Sequence, residues 1–220
     1  MHLKLKKEFP DIISAQIKAH EDGGLKGDYQ WTRLGELVTL FNRYQLSSIL
    51  EFGCGTSSIL FASLIGQSGL FETYEEDQKW LNRMLENSGD LRNRIKGNRV
   101  DRICRSKDSE SVTHYDWSHN KEYDLVYVDG PTADAKEDEK DLIIRDPYGL
   151  MPNIDVELMW ENGIFPKTMI IDGRRATVHR LIEKSDQKYN VYLKSDFQIL
   201  SGVITSCSYC YHTIMERKPA

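Results

Sequence analysis

Short apolar runs that end in glycine or an acid alternate with segments of helical periodicity along most of this 220-residue chain, and this alternation is what most constrains its fold. SSILEFG (47–53) reads as a buried strand ending at glycine, followed by a helix through ILFASLIG. LFETYE (70–75) reads as the next strand, and Asp77 as the N-cap of a helix carrying Trp80, Leu81 and Met84. RVDRICR (99–105), YDLVYVD (123–129) and TMIID (168–172) supply three more. Strands that alternate with helices lie parallel, joined by right-handed crossovers that cover both faces, so the expected class is a doubly wound α/β fold. The tail departs from this. NVYLKSD (190–196) and SYCYHTIME (208–216) have no helix between them and are expected to form an antiparallel pair, giving a mostly parallel sheet with one antiparallel edge strand. Two helical segments, about 10–20 and 30–45, precede the first strand; in the second, Leu34, Leu37, Val38, Leu40 and Phe41 recur at helical spacing.

No repeat or Pro/Gly/Ser-rich linker divides the chain, and its length suits a single domain, 1–220, with N-terminal helices over 1–46 and the core over 47–216. A formal charge of −5 supplies no general basic field, so nucleic acid is not an expected partner. The start MHLKLKKEFPD lacks the apolar stretch of a secretory signal. The longest charge-free run, Phe52 to Phe71, holds four glycines and several polar residues, so no membrane span is expected. Cys54, Cys104, Cys207 and Cys210 are too scattered for a disulfide framework and read as reduced thiols of a cytoplasmic protein. Cys207 and Cys210 form a CxxC, but on a strand positions three apart face opposite ways, which argues against a metal or redox role. The sequence does not fix an oligomeric state.

The chemistry-bearing stretch is Glu51-Phe52-Gly53-Cys54-Gly55-Thr56-Ser57-Ser58, set where a buried strand turns into a helix. Glycines there let a nucleoside ligand lie against the main chain. The dinucleotide fingerprint expects a third glycine where this chain has Ser58, which weakens a dinucleotide reading. Glu75 lies 20 residues after Gly55 at a strand end, where a carboxylate can accept bonds from two ribose hydroxyls; Glu76 is its competitor. Asp129 and Asp172 end neighbouring strands and are expected to share the crevice at the switch point. There they would orient the acceptor, act as general base, contribute to a Mg²⁺ site, or simply cap turns. The charged stretch from Gly130 to Ile154, with three prolines, reads as a lid, an acceptor-binding segment or a surface loop.

Taken in order, LEFGCGTSS, YEEDQKW, YDLVYVDGP and MIIDGRR resemble the successive motifs of the class I S-adenosylmethionine-dependent methyltransferases, over roughly residues 47–216. The resemblance implies a Rossmann-like sheet of seven strands with the last inserted antiparallel, and S-adenosylmethionine as cofactor. It implies that Glu51, Gly53 and Gly55, with Thr56 beside them in the motif, border the methionine part. Glu75 would bind the ribose, and Asp129 would lie near the sulfonium and acceptor. An adenine-binding acid is not placed: RSKDSESVTHYDW offers Asp108 and Asp116 without a clear match. Family members that use Mg²⁺ carry Asp or Asn where this chain has Gly173, leaving Asp129 and Asp172 as the two candidate ligands, and a metal is not the favoured reading. A narrower likeness to methyltransferase domains of bacterial glycan and secondary-metabolite synthesis, and to a plant family methylating glucuronic acid on xylan, points to O-methylation of a small-molecule or glycan-type acceptor.

Methyl transfer from a sulfonium depends mainly on holding nucleophile and methyl in line, which supplies about 7–11 kcal/mol. Asp129, His114 or His119 can take the acceptor's proton. Arg174 and Arg175 follow the fifth strand, where a helix N-terminus does not favour cations, and so are candidates to hold an anionic acceptor. The alternatives are an aminopropyltransferase, whose acidic polyamine pocket is not evident, and a non-catalytic binding or scaffold domain of the same fold.

Overall fold

Helix α1 (Tyr29–Tyr44) leads into strand β1 (Ser48–Phe52), helix α2 (Thr56–Leu64), β2 (Leu70–Glu75), α3 (Gln78–Asn87), a 3₁₀ turn (Gly89–Arg94) and β3 (Lys96–Arg99). Strands β4 (Arg102–Lys107), β5 (Glu110–Tyr115) and β6 (Leu125–Val128) follow. Helix α4 (Asp155–Glu161), β7 (Thr168–Asp172), α5 (Arg175–Lys184), β8 (Tyr189–Tyr192) and β9 (His212–Arg217) complete the chain. This computed structural model describes residues 29–118, 120–133, 143–144, 150–186, 188–192 and 212–219. The expected helix at 10–20, His119, Cys207, Cys210 and most of the segment between Gly130 and Ile154 lie outside the described residues.

Seven strands form one sheet in the order β3-β2-β1-β6-β7-β9-β8. The chain starts in the middle, steps outward through β2 and β3, then returns to β6 on the other side of β1, so the order reverses between β1 and β6. Strands β1, β2, β3, β6 and β7 are mutually parallel. The antiparallel strand is β9, inserted between β7 and the edge strand β8.

The alternating pleat separates two apolar layers. Ile49, Phe71, Tyr127, Ile170 and Ile214 pack with α1, α2 and α3 on one face. Leu50, Phe52, Val126, Val128, Met169, Ile171 and Met215 pack with α4 and α5 on the other. Each fully buried side chain of this kind contributes about 1.5–3 kcal/mol. Asp77 caps α3 as expected, its carboxylate accepting from the N–H groups of Lys79 and Trp80. Among the described residues no helix is long and apolar enough to cross a membrane.

The third strand corrects the sequence reading. The strand paired with β2 is KGNR, residues 96–99, and it is polar because it lies at a half-exposed edge, so it carries no apolar run to detect. RICRSK belongs instead to a hairpin with ESVTHY, closed by Asp108 and Ser109, both with positive φ (55° and 60°). This hairpin stands in the connection between β3 and β6. Its Val112 and Tyr115 are fully buried.

Candidate active site

At the carboxyl end of β1, Gly53 adopts φ +84°, and a Cβ there would lie 2.7 Å from the Gly130 nitrogen. The turn after β1 therefore packs backbone to backbone against the turn after β6, which only glycine permits. Gly55 has an extended backbone, φ 177°, open to any residue, and a Cβ there would meet nothing within 4 Å. It faces open space. Ser58, the residue in place of a third glycine, is fully buried: its hydroxyl accepts the Gly55 N–H (2.9 Å) and donates to Glu51 Oε2 (2.5 Å). Ser57 donates to Glu51 Oε1 (2.6 Å). Glu51 is thus sealed beneath the turn rather than on the cavity wall, and burial, opposed by these hydroxyls, pushes its pKa up to about 8. Thr56 opens α2 at the half-buried rim of the same turn.

Beside the turn at Gly53 lies a cavity of about 860 Å³, a size suited to a small ligand, bordered by Gly53, Glu75, Trp80, Tyr115, Asp129 and Arg174 among others. Glu75 and Glu76 diverge in role. Glu75 Oε2 accepts from the Cys54 N–H (3.1 Å) and Oε1 from the Asp77 N–H (2.9 Å). The Cys54 thiol also donates to this carboxylate, whose remaining acceptor capacity serves a ligand's hydroxyl. Burial, aided by the charge of Glu76, raises its pKa against these backbone donors. Glu76 is committed to the protein, accepting from the Thr132 N–H (2.8 Å) and hydroxyl (2.5 Å) and from the Tyr115 hydroxyl (2.6 Å). Burial works to raise its pKa, but those donors outweigh it and hold Glu76 below the ordinary carboxylate range. Trp80 donates its indole N–H to the Cys54 carbonyl (2.6 Å), fixing α3 to the glycine turn. Burial and the nearby glutamates push the Cys54 thiol up, so it stays protonated in this acidic corner.

Asp129 reaches the cavity with 46% of its side chain exposed. Asp172 does not line it. The Tyr127 hydroxyl donates to Asp172 Oδ2 (2.7 Å), and His212, itself bonded through Nδ1 to Glu36 (2.7 Å), lies 3.9 Å from the same oxygen. All four side chains are buried. The expected convergence of Asp129 and Asp172 in one crevice therefore does not occur, because Asp172 belongs to a buried polar group tying α1, β6, β7 and β9 together. Among the described residues no group of three His, Cys, Asp or Glu side chains could hold a metal ion, and the two aspartates do not form such a site.

The other candidates lie elsewhere. Asp108 pairs with Arg180 and Lys184 at the hairpin turn, and Asp116 is exposed beyond β5. His114 is buried in β5, with Nδ1 2.9 Å from the Tyr115 carbonyl, and is not on the cavity wall. Arg174 is on the wall, whereas Arg175 is exposed on α5. Sequence reasoning missed Tyr115, Thr132 and Arg99 as wall residues. The alternation of ESVTHY was the signal that could have placed Tyr115 on a strand.

No family model matches the chain, and no curated protein matches it. Solved structures do. The chain is similar to a putative O-methyltransferase from Klebsiella pneumoniae, at 14% identity and TM-score 0.58, covering 98% of this chain and 95% of that one. It is similar to an O-methyltransferase from Bacillus cereus, solved in complex with SAH (S-adenosylhomocysteine), at 15% identity and TM-score 0.56, covering 98% and 96%. A putative caffeoyl-CoA O-methyltransferase from Staphylococcus aureus aligns at 14% identity and TM-score 0.53, covering 94% and 92%. This is a methyltransferase fold. At such identity the likeness concerns the fold alone, and function lies in the site that this methyltransferase fold carries.

Proposed function

We propose that the chain is an S-adenosylmethionine-dependent methyltransferase acting on an oxygen of a small-molecule or glycan-type acceptor. The observation that carries this reading is the cavity at the order reversal of the sheet, which joins the glycine turn at Gly53 to the carboxylate of Glu75. A nucleoside whose ribose meets Glu75 extends its amino-acid end along the glycine turn. In the reaction the acceptor oxygen attacks the methyl carbon, the carbon–sulfur bond breaks, and S-adenosylhomocysteine and a proton leave. Asp129, on the cavity wall, is the group placed to take that proton. The Bacillus cereus protein, solved with S-adenosylhomocysteine, supports the choice of cofactor. A cytoplasmic location accords with the reduced, buried thiol of Cys54. Calorimetric titration with S-adenosylmethionine and S-adenosylhomocysteine is the test: both should bind at one site per chain, and absence of binding by either at millimolar concentration overturns the reading. A screen of hydroxylated acceptors then identifies the substrate.

A further inference from the structure

Four successive main-chain carbonyls after β6 each accept a hydrogen bond from a side chain carried by another part of the chain. Arg174 donates from one terminal nitrogen to Asp129 O and from the other to Pro131 O (2.5 Å). Asn153 donates to Gly130 O (3.0 Å), and Arg102 to Thr132 O (2.8 Å). Glu76 holds the Thr132 N–H from the opposite side. Loop carbonyls ordinarily turn to water, so this density of side-chain donors is a built support. Within the supported stretch, Asp129 brings a half-exposed carboxylate to the cavity wall.

Arg174 supplies two of the four bonds, and its local setting disfavours it. It stands at the N-cap of α5, where the helix dipole opposes a cation and the first turn holds no acidic residue. Its Nε is buried without a hydrogen-bond partner among the described residues, which is itself a cost. Both penalties are offset by what the terminal nitrogens do: they bracket the Gly130–Pro131 step and set a positive charge 3.9 Å from Asp129 Oδ1. Two of its four terminal N–H groups are directed at the chain's own carbonyls, so the guanidinium serves the loop.

We propose that Arg174 is a positioning residue, which fixes the Asp129 carboxylate in the cavity at the place of the transferring methyl group. The proposal rests on the methyltransferase reading above. A lysine cannot replace it, because one ammonium does not span two carbonyls as the planar fork does. Asn153, Arg102 and Glu76 also hold the loop, so loss of Arg174 removes the nearby positive charge and the two bonds that flank Asp129 while the fold is kept.

The test compares S-adenosylhomocysteine with sinefungin, an analogue that carries an amine where the sulfonium carries its methyl group. Calorimetry on the wild-type protein should show sinefungin preferred on the order of tenfold, the ammonium meeting Asp129. Asp129→Asn should abolish that preference. Arg174→Lys and Arg174→Ala should also abolish it, while S-adenosylhomocysteine binds at most about threefold more weakly and thermal unfolding shows a folded protein. Guanidinium ion at millimolar concentration should restore part of the preference in Arg174→Ala and none in Asp129→Asn. An intact preference in the Arg174 variants, or a parallel loss of both ligands, overturns the proposal. A wild-type protein that binds S-adenosylhomocysteine without preferring sinefungin overturns it alone, whereas one that binds neither ligand overturns the methyltransferase reading as well.

Discussion

Gly53 and Gly55 stand two residues apart and answer to different constraints. Gly53→Ala forces a side chain to φ +84° and into the backbone of Asp129 and Gly130, so it should destabilise the protein itself by more than about 1 kcal/mol, seen as a lower urea midpoint. The Cβ of Gly55→Val meets no protein atom within 4 Å, so the variant should stay folded, with a urea midpoint closer to wild type than that of Gly53→Ala, and lose the thermal shift produced by S-adenosylhomocysteine. Retention of that shift would contradict the cofactor site. Glu75→Ala should weaken S-adenosylhomocysteine by about 1.5–3 kcal/mol through lost charge-assisted hydrogen bonds, measured by calorimetry. The glycines and Glu75 could be read from the sequence because they occupy fixed places in contiguous strand-to-turn segments. Asp172 could not. Strand alternation gives the face of a residue, but its partners Tyr127 and His212, with Glu36 behind His212, come from three remote segments that only the folded chain assembles.

At the scale of elements, the strands buried on both faces were legible and the polar ones were not. β2 and β7 match their expected ranges, because an apolar run between turn signals reports burial directly. β3 and β4 are charged, and besides the buried Val112 and Tyr115 of β5 a long-range ionic cluster holds the hairpin. Arg180, nearly buried on α5, donates to Glu157 on α4 (2.7 Å), Asp108 (2.8 Å) and Glu110 (3.3 Å). Arg180→Met leaves Glu157 with Lys107 as its remaining cation, and should cost about 3 kcal/mol in urea unfolding. Adding Glu157→Leu should recover much of that loss, since removing a buried pair together costs far less than removing half of it. If the single variant unfolds at the wild-type midpoint, the cluster does not hold the hairpin.

For the whole molecule, the pH dependence of stability carries a signature of the glycine turn. Glu51 titrates near 4.5 when unfolded and near 8 when folded. Between those values the folded protein keeps a proton that the unfolded chain has released, so the contribution of Glu51 is full below about pH 4.5 and is lost as pH rises to about 8. Carboxylates held low, such as Glu76 and Glu157, act oppositely and lose their contribution on acidification. Melting of the ligand-free protein from pH 5.5 to 8.5 should therefore decline more steeply for wild type than for Glu51→Gln; equal slopes would contradict the assignment. The insertion of β9 between β7 and β8 has a consequence of another kind, for a chain still being synthesised. β8 leaves the ribosome before the strand that attaches it to the sheet, and until β9 follows, the outer edge of β7 is bare. At about 5–20 residues per second, making the stretch from Tyr192 to Arg217 takes roughly 1–5 s. During that interval the nascent sheet exposes an edge able to pair with a neighbouring chain, so slower translation of the last strand lengthens exposure to aggregation.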